Sequence, residues 1–331
     1  MKRTTIGDVA AAANVSIATV SRVLNGLAVK EVTATRVRDA AARLEYTPNA
    51  LTKSIFAGRS STIGVLIDDL RSPFYLDLMR GIDDVAAANG SLVMFSNTFR
   101  HTGREVAQVQ AMDEQRVRGL IVTSGASVDE RVRRMAAGGT PCVVVARTLQ
   151  DPPPGLHSVS LDNVTAGRMM AEHILSCGRR TIGVIASGAV PSQIGRIEGL
   201  RKGLGKDNAL LNDDAIAILD DDVTTPEVTD AVTSLLDANP SMEAMVCLSG
   251  RYTLAVHTAL IDRGLSIPED IGFLTMDDFA WAQNLGITVV TQPSHQMGQE
   301  AAKLIVENPR VSAQLTFEPE LISRASCGEL R

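Results

Sequence analysis

Residues 5–26 read Thr5-Ile-Gly-Asp-Val-Ala-Ala-Ala-Ala-Asn-Val-Ser-Ile-Ala-Thr-Val-Ser-Arg-Val-Leu-Asn-Gly26, and this stretch decides what the N-terminal part is. Thr5 and Asp8 stand three apart, the spacing of a capping box. A helix starting there puts Ile6, Val9, Ala10 and Ala13 on one face. Asn14-Val15 breaks the pattern. Ser16 then caps a second helix, Ile17 to Asn25, which Gly26 ends. Farther on, Thr33 is expected to cap a third helix lined by Val37, Ala40, Ala41 and Leu44, and Pro48 stops its continuation. Two short helices joined by a tight turn make a helix-turn-helix, a scaffold that many proteins use without touching nucleic acid.

Charge sharpens the reading. The 331 residues carry a formal net charge of −6, but residues 1–59 hold nine Lys and Arg against four Asp and Glu. The head is therefore +5 and the remainder −11. A small basic head on a large acidic body suits a head that meets a polyanion. Hydrophobic content of 45% and charged content of 21% are ordinary for a soluble chain, and no apolar run approaches the roughly 18 residues that span a bilayer. The N-terminus has bases but no apolar stretch behind them, so it reads as mature protein and not as a signal peptide. Cys142, Cys177, Cys247 and Cys327 are scattered without metal-ligand spacing. They are expected to be reduced core thiols in a cytoplasmic protein.

From Thr62 the pattern changes to short apolar runs alternating with longer helical segments. The runs are Ile63–Ile67, Leu92–Phe95, Leu120–Val122, Cys142–Val145, Ile182–Ile185, Ala244–Val246 and Ile271–Leu274. Segments such as Leu76–Ala88, Ala166–Leu175 and Leu254–Arg263 carry helical periodicity between them. Such alternation implies parallel sheets covered by helices on both faces. The series pauses at Asp151-Pro-Pro-Pro-Gly155 and restarts at Ser158, which favours two lobes over one wide sheet. The expected fold is a small all-α helix-turn-helix head plus an α/β body of two parallel-sheet lobes.

Asp8-Val-Ala10, Asn14-Val-Ser16 and Thr19-Val-Ser-Arg-Val-Leu-Asn25 closely resemble the head of the LacI/GalR family, the bacterial lactose and purine repressors. The resemblance extends over essentially the whole chain. It implies a periplasmic-binding-protein-like body and a second helix that lies in the major groove of DNA. Ile17 and Ala18 fall at positions facing base edges, where their apolar side chains sense thymine methyls or shape. Arg22 matches the family's base-contacting arginine, suited to guanine O6 and N7. Thr19, Ser21 and Asn25 match phosphate contacts, and Thr5, Ser16, Asn49 and Lys53 complete the DNA-facing set. Tyr46–Arg59 resembles the hinge helix that folds on operator DNA, with Ile55 in place of the leucine that wedges between base pairs. An isolated eight-residue helix is marginal in water, so order there would depend on DNA and on the partner subunit. Residues 49–57 also read as a plain solvated linker.

The same resemblance implies a head at 1–47, a hinge at 48–60 and a core at 61–331. Lobe N of that core takes 61–160 and 293–320, and lobe C takes 161–292 and 321–331. A ligand would bind between the lobes, at the carboxyl ends of their sheets. Matched positions are Phe74 and Tyr75 in Ser72-Pro-Phe-Tyr75, Ser192, Arg196 in Gly195-Arg-Ile-Glu-Gly199, and Asp162 in Ser160-Leu-Asp-Asn163. Asp277 in Thr275-Met-Asp-Asp278 and Trp281, the single tryptophan, join them as a sugar's polar and stacking partners. Two departures stand out. Ala146-Arg147 lacks the aspartate that often precedes this arginine, and Ser249-Gly-Arg251 replaces an Asn-Asp pair. Arg147 and Arg251 then add donors, which suits acceptor-rich or partly anionic ligands.

Nothing in the sequence favours an enzyme. Asp68-Asp-Leu-Arg-Ser-Pro follows the first body strand where a nucleotide enzyme would carry G-x-G-x-x-G or a P-loop. His101, His157, His173, His257 and His295 lack ligand spacing, and neither Ser187 nor Ser249 sits in a nucleophile elbow. The resemblance implies a repressor that uses no cofactor and binds a palindromic operator as a homodimer under control of a mono- or disaccharide. Two alternatives stay open: control by a nucleobase or sugar acid, and an intracellular sugar-binding protein whose head only mediates dimer contacts. The chain ends at Ser326-Cys-Gly-Glu-Leu-Arg331 without the apolar heptad tail of tetrameric members, so a dimer is expected.

Overall fold

The capping box at Thr5 forms as its spacing requires, with Asp8 N–H on the Thr5 hydroxyl and Thr5 N–H on the Asp8 carboxylate. The computed structural model describes residues 4–24, 26–46, 60–123, 125–188, 190–205, 211–220 and 223–328. The chain divides after Ser60 into two compact units.

In the first unit, α1 (Ile6–Ala13) ends on Asn14 in the left-handed conformation, and α2 (Ile17–Leu24) follows at once. Ser16 Oγ accepts from Thr19 N–H at 3.1 Å, the expected cap. The third helix, α3 (Glu31–Arg43), begins earlier than Thr33 predicts, and Lys30 is its N-cap. Packing explains the difference. Ala34 joins Val37, Ala40 and Ala41 in the core with Val9, Ala13, Val20 and Val23, so a turn must already exist before Ala34. Glu31 in that first turn favours the helix dipole.

The second unit begins with β1 (Thr62–Ile67), α4 (Pro73–Ala88), β2 (Leu92–Asn97) and α5 (Thr102–Glu114). It continues through β3 (Gly119–Val122), α6 (Asp129–Ala137), β4 (Cys142–Val145) and β5 (Leu156–Leu161). Next come α7 (Asn163–Ser176), β6 (Ile182–Ser187), α8 (Pro191–Gly203), β7 (Ile216–Leu219) and α9 (Thr225–Ala238). They are followed by β8 (Ala244–Cys247), α10 (Thr253–Asp262), β9 (Gly272–Met276) and α11 (Ala280–Asn284). The last elements are β10 (Thr288–Thr291), α12 (Ser294–Glu307), β11 (Gln314–Phe317) and β12 (Glu320–Ile322).

The strands form two six-stranded sheets, ordered β11-β5-β4-β3-β1-β2 and β12-β10-β9-β8-β6-β7. Every pairing is parallel except β12 on β10. Both faces of each sheet are covered, which is why the central strands read as unbroken apolar runs. Ile63, Val65 and Ile67 pack on one side with Leu78, Ile82 and Met297, while Leu66 turns to the other with Val109 and Val132. The second sheet repeats the arrangement, with Val184 and Ala186 on one side and Ile185 on the other.

The Asp151–Gly155 pause is not where the chain changes lobe, since β5 still pairs with β4 in the first sheet. The chain crosses instead at 161–163, again at 291–294 and a third time at 317–320. One helix crossing bears on the cleft. A Cβ on Gly167 would lie 1.9 Å from the Arg196 carbonyl oxygen, and one on Gly199 would lie 2.0 Å from that of Val164. Only glycine lets α7 and α8 meet backbone to backbone there, and that contact seats Arg196.

Candidate functional site

The second helix of the head separates its residues by face. Val20 and Val23 are buried, whereas Ser16, Ile17, Ala18 and Arg22 are exposed and Thr19 and Ser21 are half-buried. Ile17 is 54% exposed. Arg22 Nη2 donates to the Ala28 carbonyl at 3.2 Å, holding the guanidinium along the helix surface. The Thr5 and Ser16 hydroxyls serve as helix caps. Asn25, Asn49, Lys53 and Ile55, with the rest of the expected hinge helix, lie outside the described residues.

In the body, the carboxyl ends of the two sheets enclose a cavity of about 60 Å³. Of the residues expected from sequence, Phe74, Tyr75, Ser192, Arg196, Arg251 and Asp277 line it. Arg196 is nearly buried. Its Nε donates to Asn163 Oδ1 at 2.9 Å and its Nη1 to the Leu248 carbonyl at 2.6 Å. Asp277 stands at the end of β9 with φ +68°, a left-handed conformation that a non-glycine residue holds only at a cost. Gln292 Nε2 donates to its Oδ1 at 2.7 Å, and the Gly250 N–H also supports the carboxylate. A Cβ at 250 would come within 2.5 Å of Phe279 Cζ and 2.8 Å of Asp277 Oδ2, so Gly250 leaves room for both side chains. Burial pushes the Asp277 carboxyl up and the Arg196 guanidinium down, and each charge opposes the shift of the other.

Three expected residues turn elsewhere. Arg147 is paired with Asp129, with Nη1 at 3.1 Å from Oδ2, and its Nη2 reaches the Gly125 carbonyl at 3.2 Å. Ala146, with φ +67°, takes the lining position, and the reversal sends the next side chain away. Asp162 is spent on capping α7, accepting from Thr165 N–H at 2.9 Å and from its hydroxyl at 2.8 Å. Its neighbour Asn163 faces the cavity. Trp281 stacks on Phe279 at 5.0 Å between ring centroids and packs against the second lobe's core.

Sequence reasoning passed over Asp69, Arg100, Asn163, Ser187, Gln193 and Gln292, all of which line the cavity. The available signal was position, since Ser187 ends β6, Gln292 directly follows β10 and Asp69 lies two residues past β1, all at carboxyl ends that face the cleft. Asp69 and Arg251 form an ion pair at 2.9 Å, and Arg100 Nε lies 3.6 Å from Asp68 Oδ2. Asp68 is buried just behind the cavity and receives hydrogen bonds from Tyr75 and Thr123. Burial outweighs the Arg100 charge and pushes its carboxyl up to about 7. Two rings and a set of forked donors and acceptors around one small space are equipped to hold a polyhydroxylated molecule.

Comparisons with known proteins agree with the architecture. Residues 5–49 match the family model of bacterial regulatory proteins of the lacI family. Residues 60–321 match that of periplasmic binding proteins and the sugar-binding domain of the LacI family. The chain is 31% identical over 309 residues to the ribose operon repressor of Bacillus subtilis, covering 91% of this chain and 90% of that one. The structure of a transcriptional regulator CelR–cellobiose complex superposes with a TM-score of 0.72 at 26% identity, over 98% of this chain and all of that one. A lac repressor dimer bound to operator and the anti-inducer ONPF gives a TM-score of 0.82 at 22% identity, over 99% and 100% of the two chains. Among the described residues no helix is long and apolar enough to cross a membrane. With a lacI-type head and a sugar-binding-type body each matched over its length, this chain belongs to the LacI family of bacterial transcription regulators and is not an enzyme.

Proposed function

We propose that the protein binds a palindromic operator as a homodimer and represses transcription under control of a small neutral sugar held between its lobes. One observation carries the ligand class. Of the three cationic side chains of the cavity, Arg251 meets Asp69 at 2.9 Å and Arg196 is set against Asp277, while Arg100 stands 3.6 Å from Asp68, whose carboxyl burial pushes up to about 7, so most but not all of the positive charge is already met. Arg147, which would have tipped the balance, is turned away and paired. Largely matched charges and two aromatic rings suit the hydroxyls and faces of a sugar. The names of the ribose operon repressor and of the cellobiose complex support the same class.

The head at 1–47 would read DNA through Ile17, Ala18 and Arg22, with Thr5, Ser16, Thr19, Ser21 and Asn25 on phosphates, and the hinge at 48–60 would add Asn49 and Lys53 on phosphates and Ile55 as a minor-groove wedge. The exposure of Ile17, Ala18 and Arg22 on one helix supports this, as does the dimer-on-operator structure that the fold matches. The edge strand β2 exposes Leu92, Met94 and Phe95, an unpaired apolar border suited to a second copy of the chain. Ligand in the cleft would change lobe closure and hence the spacing of the two hinges at 48–60. A preference for one state by about 2–3 kcal/mol changes operator affinity roughly 30- to 150-fold.

A thermal-shift screen of full-length protein with mono- and disaccharides, sugar acids and nucleobases tests the ligand class. Hits are then assayed for release of DNA from upstream of the protein's own gene. A neutral sugar should stabilise the protein and change DNA binding. Stabilisation by sugar acids or nucleobases alone would overturn the class, and equal affinity for upstream and unrelated DNA would overturn the operator reading.

A further inference from the structure

The pair Asp69–Arg251 joins residues from different lobes. Asp69 follows β1 of the first sheet and Arg251 follows β8 of the second. Arg251 Nη1 lies 2.9 Å from Asp69 Oδ2, with only 7% and 4% of the two side chains exposed. Neither residue lies in a crossover segment, so rotation of the lobes about those segments pulls the two apart. A second link runs beside the first, from Arg100 Nη1 of the first lobe to Ser187 Oγ of the second at 3.5 Å.

Each half of the pair is held within its own lobe. Arg71 grips Asp69 in a fork, with Nε at 2.9 Å from Oδ1 and Nη2 at 2.8 Å from Oδ2. Arg251 lies over the Tyr252 ring at 5.0 Å, and its Nη2 reaches the Val223 carbonyl at 3.5 Å. Both partners are therefore pre-aimed, and little side-chain freedom is lost when they meet. The cavity they close measures about 60 Å³. A six-membered ring needs a cavity on the order of 150 Å³. As the lobes stand, then, the space beside the pair is narrower than a sugar ring, while the adjoining hollow that shares Phe74, Asp277 and Gln292 measures about 270 Å³.

We propose that Asp69 and Arg251 form an interlobe latch that ties the two lobes together, so that an effector must break this pair to enter the cleft. The functional consequence rests on the cleft being the effector site, while the latch itself does not. An effector competes with the latch, and Arg251 sets how readily the cavity admits a ring.

Amide hydrogen exchange on full-length protein without added ligand tests it, comparing wild type with Arg251→Gln, Arg251→Lys and Asp69→Asn. Arg251→Gln leaves Asp69 paired with Arg71, so no buried charge is orphaned by that change. In Arg251→Gln and Asp69→Asn, peptides over 68–75, 190–196 and 249–253 should exchange about tenfold faster. Peptides over β3 and β8 should be unchanged, and Arg251→Lys should return the rates towards wild type. Equal rates in wild type and Arg251→Gln would overturn the latch, as would acceleration spread evenly over the body, which signals general loosening. If the latch fails while sugars still stabilise the protein through Arg196, only the latch is wrong. If no compound binds and the exchange pattern holds, the cleft reading fails by itself.

Discussion

Replacing Asp68 by Asn should make the body less sensitive to pH, and the size of the effect follows from where the carboxyl sits. Asp68 is 7% exposed at the end of β1, with Tyr75 Oη at 3.3 Å, Thr123 Oγ1 at 3.4 Å and Arg100 Nε at 3.6 Å. Burial raises its pKa from 3.8 to about 7, against the opposing charge of Arg100 and helped by nearby Glu105. Between those two values the folded chain keeps a proton that the unfolded chain has released. The folded state then binds more protons, so stability is largest below pH 4 and falls as pH rises towards 7. At about 1.36 kcal/mol per pH unit the full loss is about 4 kcal/mol, of which roughly 2–3 kcal/mol falls between pH 5 and pH 8. Asn imitates the protonated acid and removes this dependence, whatever it costs Arg100 at both pH values. Urea unfolding followed by Trp281 fluorescence at pH 5 and pH 8 measures it. Wild type should lose about 2–3 kcal/mol more than Asp68→Asn across that interval. An equal loss in both proteins would mean that Arg100, not burial, sets the charge of Asp68.

Three further outcomes test the other parts. Arg22→Ala should weaken cognate DNA binding by about 1–3 kcal/mol and relax discrimination at one base pair per half-site; equal losses on cognate and scrambled duplexes would make Arg22 a phosphate contact. Arg196→Ala should abolish the thermal shift given by an effector while DNA binding persists, and an unchanged effector affinity would remove Arg196 from the site. Gly167→Ala drives a methyl into the Arg196 carbonyl, so it should destabilise the body by about 3 kcal/mol or more in urea and weaken effector binding. A fully stable Gly167→Ala protein would show that α7 and α8 can separate without consequence.

Much of the architecture is legible in the sequence because burial writes itself into periodicity. The central strands β3, β4, β6 and β8 are covered on both faces and appear as plain apolar runs. The border strands are uneven. β2 and β7 still place apolar residues in sequence, whereas β11, Gln314-Leu-Thr-Phe317, is only partly buried and carries no run that separates it from loop. The third helix shows another limit. A threonine is a good cap in isolation, but the start of α3 is set by Ala34 needing to reach the core, a tertiary demand that outranks the local one.

The cavity was legible to the level of strand ends and no finer, and the backbone explains why. Ala146 and Asp277 both close their strands with a left-handed residue, at φ +67° and +68°. Such a residue reverses the direction of the chain, and it decides which of two adjacent side chains enters the cleft. At β4 it admits Ala146 and sends Arg147 to Asp129, while at β9 it admits Asp277 and leaves Asp278 to Arg324. Neither alanine nor aspartate announces that conformation, because only glycine adopts it freely. Asp162 went astray for a related reason. A side chain at a helix start is claimed by the helix's own amide groups before any ligand is present, which passes the cleft to Asn163. The Asp69–Arg251 pair was harder still: Arg251 reads as a cleft donor, but Asp69 carries no signal as its partner, and only the meeting of the two sheets makes them neighbours. Residues that act within one strand–turn–helix unit can thus be found from sequence, while those that act across the cleft depend on closure, the variable through which this family's architecture would sense its effector.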